Sequence, residues 1–161
     1  MALKNFIVIA FLCILFIYAC NPAATLSGSA KDNVIQEVEA MLADYLEAMN
    51  TGGLTTEFKY LDNSPEFFWV PPGYDSWISY DSVATVLKAT APTLKSIDYQ
   101  WEYLKVEPLA THLASYTGKL QGTLVSKAGI TAHLTLLETG TVIKRADGWK
   151  LLNGQSAILP K

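Results

Sequence analysis

From Ala30 onward the chain alternates between two hydrophobic periods, and the change of period marks its organisation. Val34, Val38, Met41, Leu42, Tyr45 and Met49 recur at helical spacing behind Ser29-x-x-Asp32, which resembles a capping box, and Asn50-Thr51-Gly52-Gly53 stops the run. Leu54 to Leu61 reads as a second, two-turn helix closed by the turn residues Asp62-Asn63-Ser64-Pro65. Phe67 to Val70 and Asp75 to Ser79 read as short strands around Pro71-Pro72-Gly73, and Asp81 to Lys95 as a third helix that Pro92 kinks or ends. After Ser96 the period becomes two. Tyr99–Glu107, Leu113–Leu124, Ile130–Lys144 and Trp149–Leu159 are rich in Thr, Val, Tyr and Trp and are separated by Pro108, by Lys127 to Gly129 and by Ala146-Asp147-Gly148. Helices first and a meander last predict an α+β domain in which a curved antiparallel sheet wraps around the helices.

The pattern before Ala30 is different. Lys4 precedes an uncharged apolar run, Phe6 to Ala19, and Ile17-Tyr18-Ala19-Cys20 sets a small residue directly before a cysteine. At about 1.5 Å per residue the run reaches about 21 Å as a helix, short of the roughly 30 Å hydrocarbon core of a bilayer. It resembles a bacterial lipoprotein signal peptide, with residues 1–19 removed and Cys20 lipidated. Asn21 to Ser29 is small, polar and punctuated by Pro and Gly, so residues 20–29 form the lipidated cysteine and a tether at most about 30 Å long, and residues 30–161 form one domain. The resemblance implies a membrane partner through lipid on Cys20, buried at about 0.8 kcal/mol per CH₂. It also implies residence in the cell envelope, on the outer membrane facing the periplasm, since Asn21 is not the aspartate associated with inner-membrane retention.

Cysteine usage constrains the chemistry further. Cys13 lies in the signal and Cys20 carries the lipid, so the domain has no thiol for a disulfide, a nucleophile or a zinc site. The formal net charge of the whole chain is −3, and removal of the signal takes away one basic residue and no acidic one. No basic stripe exists to hold nucleic acid. His112 and His133 are the only histidines and carry no metal-ligand spacing, so no metal is expected. Nor is a cofactor: phosphate-binding glycine loops, dinucleotide fingerprints, nucleophile elbows and HExxH are all absent.

Three local features in order resemble the nuclear transport factor 2-like superfamily, within it the SnoaL-like and DUF4440 group. They are the helix Val38 to Asn50 running into Gly52-Gly53, the strand ending at Val70-Pro71-Pro72-Gly73, and Asp147-Gly148-Trp149-Lys150-Leu151-Leu152 leading into the last strand. The resemblance covers nearly all of residues 31 to 159. It implies a cone whose wide mouth holds a mostly apolar pocket, and frequent homodimers through the outer face of the sheet. It does not imply one activity, because the superfamily hosts isomerases, cyclases, dehydratases and binding proteins.

The resemblance to ketosteroid isomerases sets Tyr45 where those enzymes carry an oxyanion-stabilising tyrosine. Their general base is an aspartate before a proline at the end of the first strand, where Trp69-Val70 stand before Pro71, and neither residue takes a proton. Glu138 lies near the position of their later acid, with its alternation phase open. The last-strand histidines of many DUF4440-type chains correspond by spacing to Asn153 and Gln155, which hydrogen-bond but do not titrate. Spacing of two from Trp149 predicts both pointing inward. Phe58, Tyr60, Phe67, Phe68, Trp69, Tyr74, Trp77 and Tyr80 crowd one stretch and suggest an aromatic mouth, and Trp101 and Tyr103 share a predicted strand face with Tyr99. The expected pocket is therefore Tyr45, Tyr60, Trp69, Trp101, His133, Asn153 and Gln155. The leading expectation is a non-catalytic site for a small apolar or aromatic ligand or a protein partner. The alternatives are an enzyme of the cyclase, isomerase or dehydratase kind using Tyr45 with Glu138 or His133, and a structural homodimerisation module.

Overall fold

The computed structural model describes residues 26–160, so the signal segment, Cys20 and the first part of the tether lie outside the described residues. Helix α1, Gly28–Gly52, carries a stripe of Val34, Val38, Leu42, Tyr45, Leu46 and Met49, all buried. Each such side chain contributes about 1.5–3 kcal/mol when taken from water. Its cap is Ser27, whose hydroxyl accepts from the Ala30 amide at 3.3 Å, so the helix begins two residues before the expected domain start at Ala30. At its other end Gly53 takes φ 82°, a left-handed conformation open to glycine, and its amide donates to the Met49 carbonyl. That reversal leads directly into a 3-10 helix, Leu54–Lys59, where a two-turn α-helix was expected.

Strand β1 is Phe68–Val70, helix α2 is Tyr80–Thr90, and a 3-10 turn, Ala91–Thr93, takes Pro92 before the chain extends. The predicted strand at Asp75–Ser79 shrinks to one bridge, in which Trp69 and Ile78 exchange backbone hydrogen bonds of 3.1 and 2.8 Å. Strands β2 (Leu94–Ala110), β3 (Leu113–Ser126), β4 (Thr131–Arg145) and β5 (Gly148–Ile158) form the meander. Pro108 lies inside β2 rather than after it, and β2 is an edge strand, where a missing N–H is tolerated. The sheet order is β1-β5-β4-β3-β2, with β1 parallel to β5, so the sheet is mixed and not purely antiparallel. Helix α1 lies on its concave face, in the α+β arrangement expected of a nuclear transport factor 2-like cone.

Two bulges decide what this face presents. In β2, Trp101 pairs with Leu120 and Tyr103 with Lys119, which leaves Glu102 as an extra residue. Tyr99 and Trp101 face inward before it, Leu104 and Val106 after it, and Tyr103 is turned out to 50% exposure. In β5, Thr141 pairs with Asn153 and Val142 with Leu151, leaving Leu152 extra. One inserted residue reverses the phase of everything beyond it, because side chains alternate with a period of two.

At the narrow end of the cone, Asp62 is clamped by Arg145 through two hydrogen bonds of 2.8 and 2.7 Å and accepts a third from Ser64. The Asp62 amide also donates to the Leu151 carbonyl, so the loop after the 3-10 helix is fixed to β5. The Arg145 guanidinium beside Asp62 holds its carboxyl below the usual carboxylate range. Nearby, Glu37 of α1 accepts from Lys144 and from the Trp149 indole, and its pKa is lowered by those bonds.

Candidate active site

Where α1, the 3-10 helix, β1, α2 and the strands meet, they leave a cavity of about 180 Å³. Leu46 and Met49 of α1, Val83, Val86 and Leu87 of α2, Leu120, Leu136 and the Pro71-Pro72 turn give it apolar walls. Into these walls project Tyr45, Glu57, Trp69, Tyr99, Glu138 and Ser156.

Glu138 sits on the inward phase of β4 and is 4% exposed. Its Oε1 accepts from the Tyr116 hydroxyl at 2.7 Å and its Oε2 from the Ser156 hydroxyl at 3.0 Å, while the Trp69 indole N–H donates to the Ser156 oxygen at 3.1 Å. This chain exists because of the β5 bulge. Trp149 and Leu151 face inward before Leu152, and Gly154 and Ser156 face inward after it. Trp69 pairs with Gly154, and a Cβ on Gly154 would lie 2.7 Å from the Trp69 ring, so the indole covers the strand at a residue that has no side chain. Tyr99 and Gly122 repeat the device at the β2–β3 pair.

Glu57 reaches the cavity by another route. The Gly52-Gly53 reversal folds the 3-10 helix back on α1, and half-buried Glu57 lines the cavity together with Tyr45. Burial, then the charge of Glu138, push its carboxyl up to about 8, against a smaller downward effect from Tyr45. Burial also raises Glu138, opposed by its bonds from Tyr116 and Ser156. Two hydroxyl donors on Glu138 favour its charged form against burial, while Glu57, pushed up to about 8, holds its proton at neutral pH. Burial raises the phenols as well, Tyr99 to about 12 and Tyr45 and Tyr116 well above their ordinary value, so all three are hydrogen-bond donors at neutral pH. Among the described residues no group of three or more His, Cys, Asp or Glu side chains is placed to hold a metal.

Of the residues expected from the sequence, Tyr45, Trp69 and Glu138 meet in this cavity. The other placements are corrections. Asn153 and Gln155 lie past the Leu152 bulge and face outward with Phe68 and Val70. His133 is on the outward phase of β4, exposed, with Nδ1 3.1 Å from the Thr123 hydroxyl. Tyr60 packs edge-on behind Tyr45 and donates to the Asp44 carbonyl at 3.0 Å, in the core. Trp101 packs against Tyr116 and α1, its indole N–H 3.3 Å from the Leu42 carbonyl. The aromatic mouth likewise disperses: Phe67 and Tyr60 are core, Phe68, Tyr74 and Trp77 are on the surface, and only Trp69 of that group lines the cavity. Glu57, Tyr99 and Ser156 are the cavity residues that sequence reasoning missed. The one local signal for Glu57 is an acid between Leu54 and Phe58 immediately after a helix-ending Gly-Gly.

Residues 38–160 match the model of the SnoaL-like domain family. The chain belongs to that family. Its fold is also similar to a nuclear transport factor 2-like superfamily protein from Salmonella enterica serovar Typhimurium, at 18% identity and TM-score 0.69 over 81% of this chain and 94% of that one. A ketosteroid isomerase-like protein from Erwinia carotovora matches at 20% identity and TM-score 0.61, covering 79% of this chain and 97% of that one. A type 2 hexachlorocyclohexane dehydrochlorinase matches at 11% identity and TM-score 0.62, covering 78% and 84%. These identities establish the shared fold and leave the activity to the SnoaL-like cavity itself. No curated protein matches the chain by sequence.

Proposed function

We propose that this SnoaL-like protein is an acid–base enzyme of the isomerase, cyclase or dehydratase kind, acting on a small, largely apolar molecule without a cofactor. The observation that carries the reading is the pair Glu57 and Glu138, two carboxyls lining one apolar cavity that Tyr45 also lines. Their environments differ, which is how one site holds an acid and a base together. In this reading the Glu138 carboxylate removes a proton from carbon next to a carbonyl. Tyr45 and protonated Glu57 donate hydrogen bonds to the oxygen on which charge develops. Returning the proton at another carbon isomerises the substrate, and expelling a hydroxyl as water dehydrates it. The similar folds of a ketosteroid isomerase-like protein and a dehydrochlorinase favour the catalytic reading over passive binding. A cavity of about 180 Å³ suits a molecule of about one six-membered ring, since a protein cavity of about 150 Å³ accommodates benzene. The lipid on Cys20 and an envelope location, read from the leader pattern, are part of the same proposal and would confine the enzyme to a membrane surface.

The test is exchange of the α-protons of small cyclic ketones into D₂O, followed by NMR. The protein should accelerate exchange above buffer, and Glu138→Gln should remove about 10²–10⁴-fold of that acceleration. Equal exchange with wild type, Glu138→Gln and buffer across a panel of one-ring ketones would sink the catalytic reading.

A further inference from the structure

The cavity has an unbalanced charge inventory. Among the described residues that line it, every side chain is apolar, aromatic or acidic except Ser156, and no Lys, Arg or His is present. The titratable groups facing the carboxyl pair are Tyr45 from α1, Tyr99 from β2 and Tyr116 from β3, all of them neutral donors. α2, β1 and β5 contribute Val83, Val86 and Leu87, Trp69, and Ser156. Nearby cations are engaged elsewhere: Lys88 lies over the Phe58 ring, Lys59 over Tyr60, and Arg145 on Asp62.

The cavity already contains its own example of what this does to a second negative charge. Glu57 faces Glu138 across apolar walls, and desolvation followed by repulsion from Glu138 keeps its proton on at neutral pH. A ligand carboxylate in the same space would meet the same apolar walls, the same Glu138 carboxyl and, among the described lining residues, no cation. It would enter only with a proton bound.

We infer that the site is a charge filter: it admits uncharged one-ring molecules bearing a hydroxyl or carbonyl oxygen and rejects the isosteric carboxylates, with Glu138 as the residue that sets the discrimination. The inference deepens the acid–base reading and rests on this cavity being the substrate site, though not on turnover. Its consequence for substrate class is definite. A molecule that presents a free carboxylate or phosphate to this cavity is not the substrate, and an anionic precursor must first be neutralised, for example by esterification or decarboxylation.

Titration calorimetry with benzyl alcohol and benzoate at pH 6 and pH 7 tests this. Benzyl alcohol should bind with the same affinity at both values. Benzoate should bind at least tenfold more weakly at pH 7, and should lose about a further tenfold from pH 6 to pH 7 because one proton must accompany it. Glu138→Gln keeps the shape and removes the carboxyl, so it should gain at least tenfold in benzoate affinity relative to benzyl alcohol and flatten the pH slope. Benzoate binding as tightly as benzyl alcohol to the wild type at both pH values would overturn the filter, as would a folded Glu138→Gln with an unchanged benzoate-to-alcohol ratio. The wild-type pH series decides the matter even if the variant does not fold. Failure of benzyl alcohol to bind at all would also overturn it. A filter that holds in a protein that exchanges no α-protons would sink the catalytic reading alone.

Discussion

The two ends of the cone use carboxylates in opposite ways. At the narrow end Asp62 is gripped by Arg145, and Glu37 by Lys144 and Trp149, and both pKa values move down. In the wide-end cavity no cation lies among the described residues lining it with Glu57 and Glu138, and both move up. All four are acidic residues on neighbouring elements of one small domain. What separates them is the partner within hydrogen-bond reach, so the narrow end is a clamp whose charges are satisfied and the wide end is a site whose charge is left available.

The largest expected effect breaks the wide end. Glu138→Gln should lower α-proton exchange by about 10²–10⁴-fold while leaving the melting transition close to that of the wild type, because the amide still fills the space between Tyr116 and Ser156. Next comes the narrow end. Asp62→Ala removes a bidentate charged pair and leaves the Ser64 and Arg145 donors without their acceptor, which should cost about 2–3 kcal/mol in urea unfolding with little change in exchange rate. A loss of exchange larger than the loss of folded protein would show that the clamp also serves the cavity. Gly154→Ala should cost about 1–3 kcal/mol by overpacking, since the new Cβ meets the Thr139 carbonyl oxygen first and then the Trp69 ring, and should disturb the Trp69–Ser156 bond as well.

The smallest effects are in the pH dependence, where the two ends should have opposite signs. Glu57 titrates near 8 when folded and as an ordinary carboxyl when unfolded, so its contribution to stability is full at acid pH and is lost as pH rises from the usual carboxylate range through 8. Asp62 is lowered, so its contribution is present above the usual carboxylate range and is lost as pH falls through its folded pKa. Glu57→Gln should therefore raise the melting temperature at pH 8.5 relative to wild type, with no gain at pH 4. Asp62→Asn should lower it at pH 7, with the difference shrinking in acid. Melts of the two variants that run parallel to the wild type across this range would show that the two ends are not distinguished by charge.

Much of the architecture was legible because it rests on periodicity, which is local. The stripe of α1 and the four long strands follow from the spacing of apolar residues, and the Gly52-Gly53 stop is where the helix ends. The site was legible only in part. Tyr45 lies on a helix whose phase is continuous, and Trp69 on a strand next to a proline turn, so both could be assigned to the cavity side. The sequence spacing puts Asn153 and Gln155 on the inward face and groups Tyr103 with Trp101, and both readings fail because each residue follows a bulge, which carries no residue signature in Glu102 or Leu152. Glu57 was passed over because an acid in a six-residue 3-10 helix gives no sign of where it points.

The sequence by itself determined the order of elements, the SnoaL-like resemblance, the absence of thiols from the domain and the absence of metal-ligand spacing. The tertiary structure decided which carboxyls meet. Pairing register, one inserted residue in β5 and one left-handed glycine after α1 bring Ser156, Glu138 and Glu57 to a single cavity from positions 57, 138 and 156. Their chemistry follows from desolvation and from the charge of a neighbour, and both are properties of distance in space that distance along the chain does not encode.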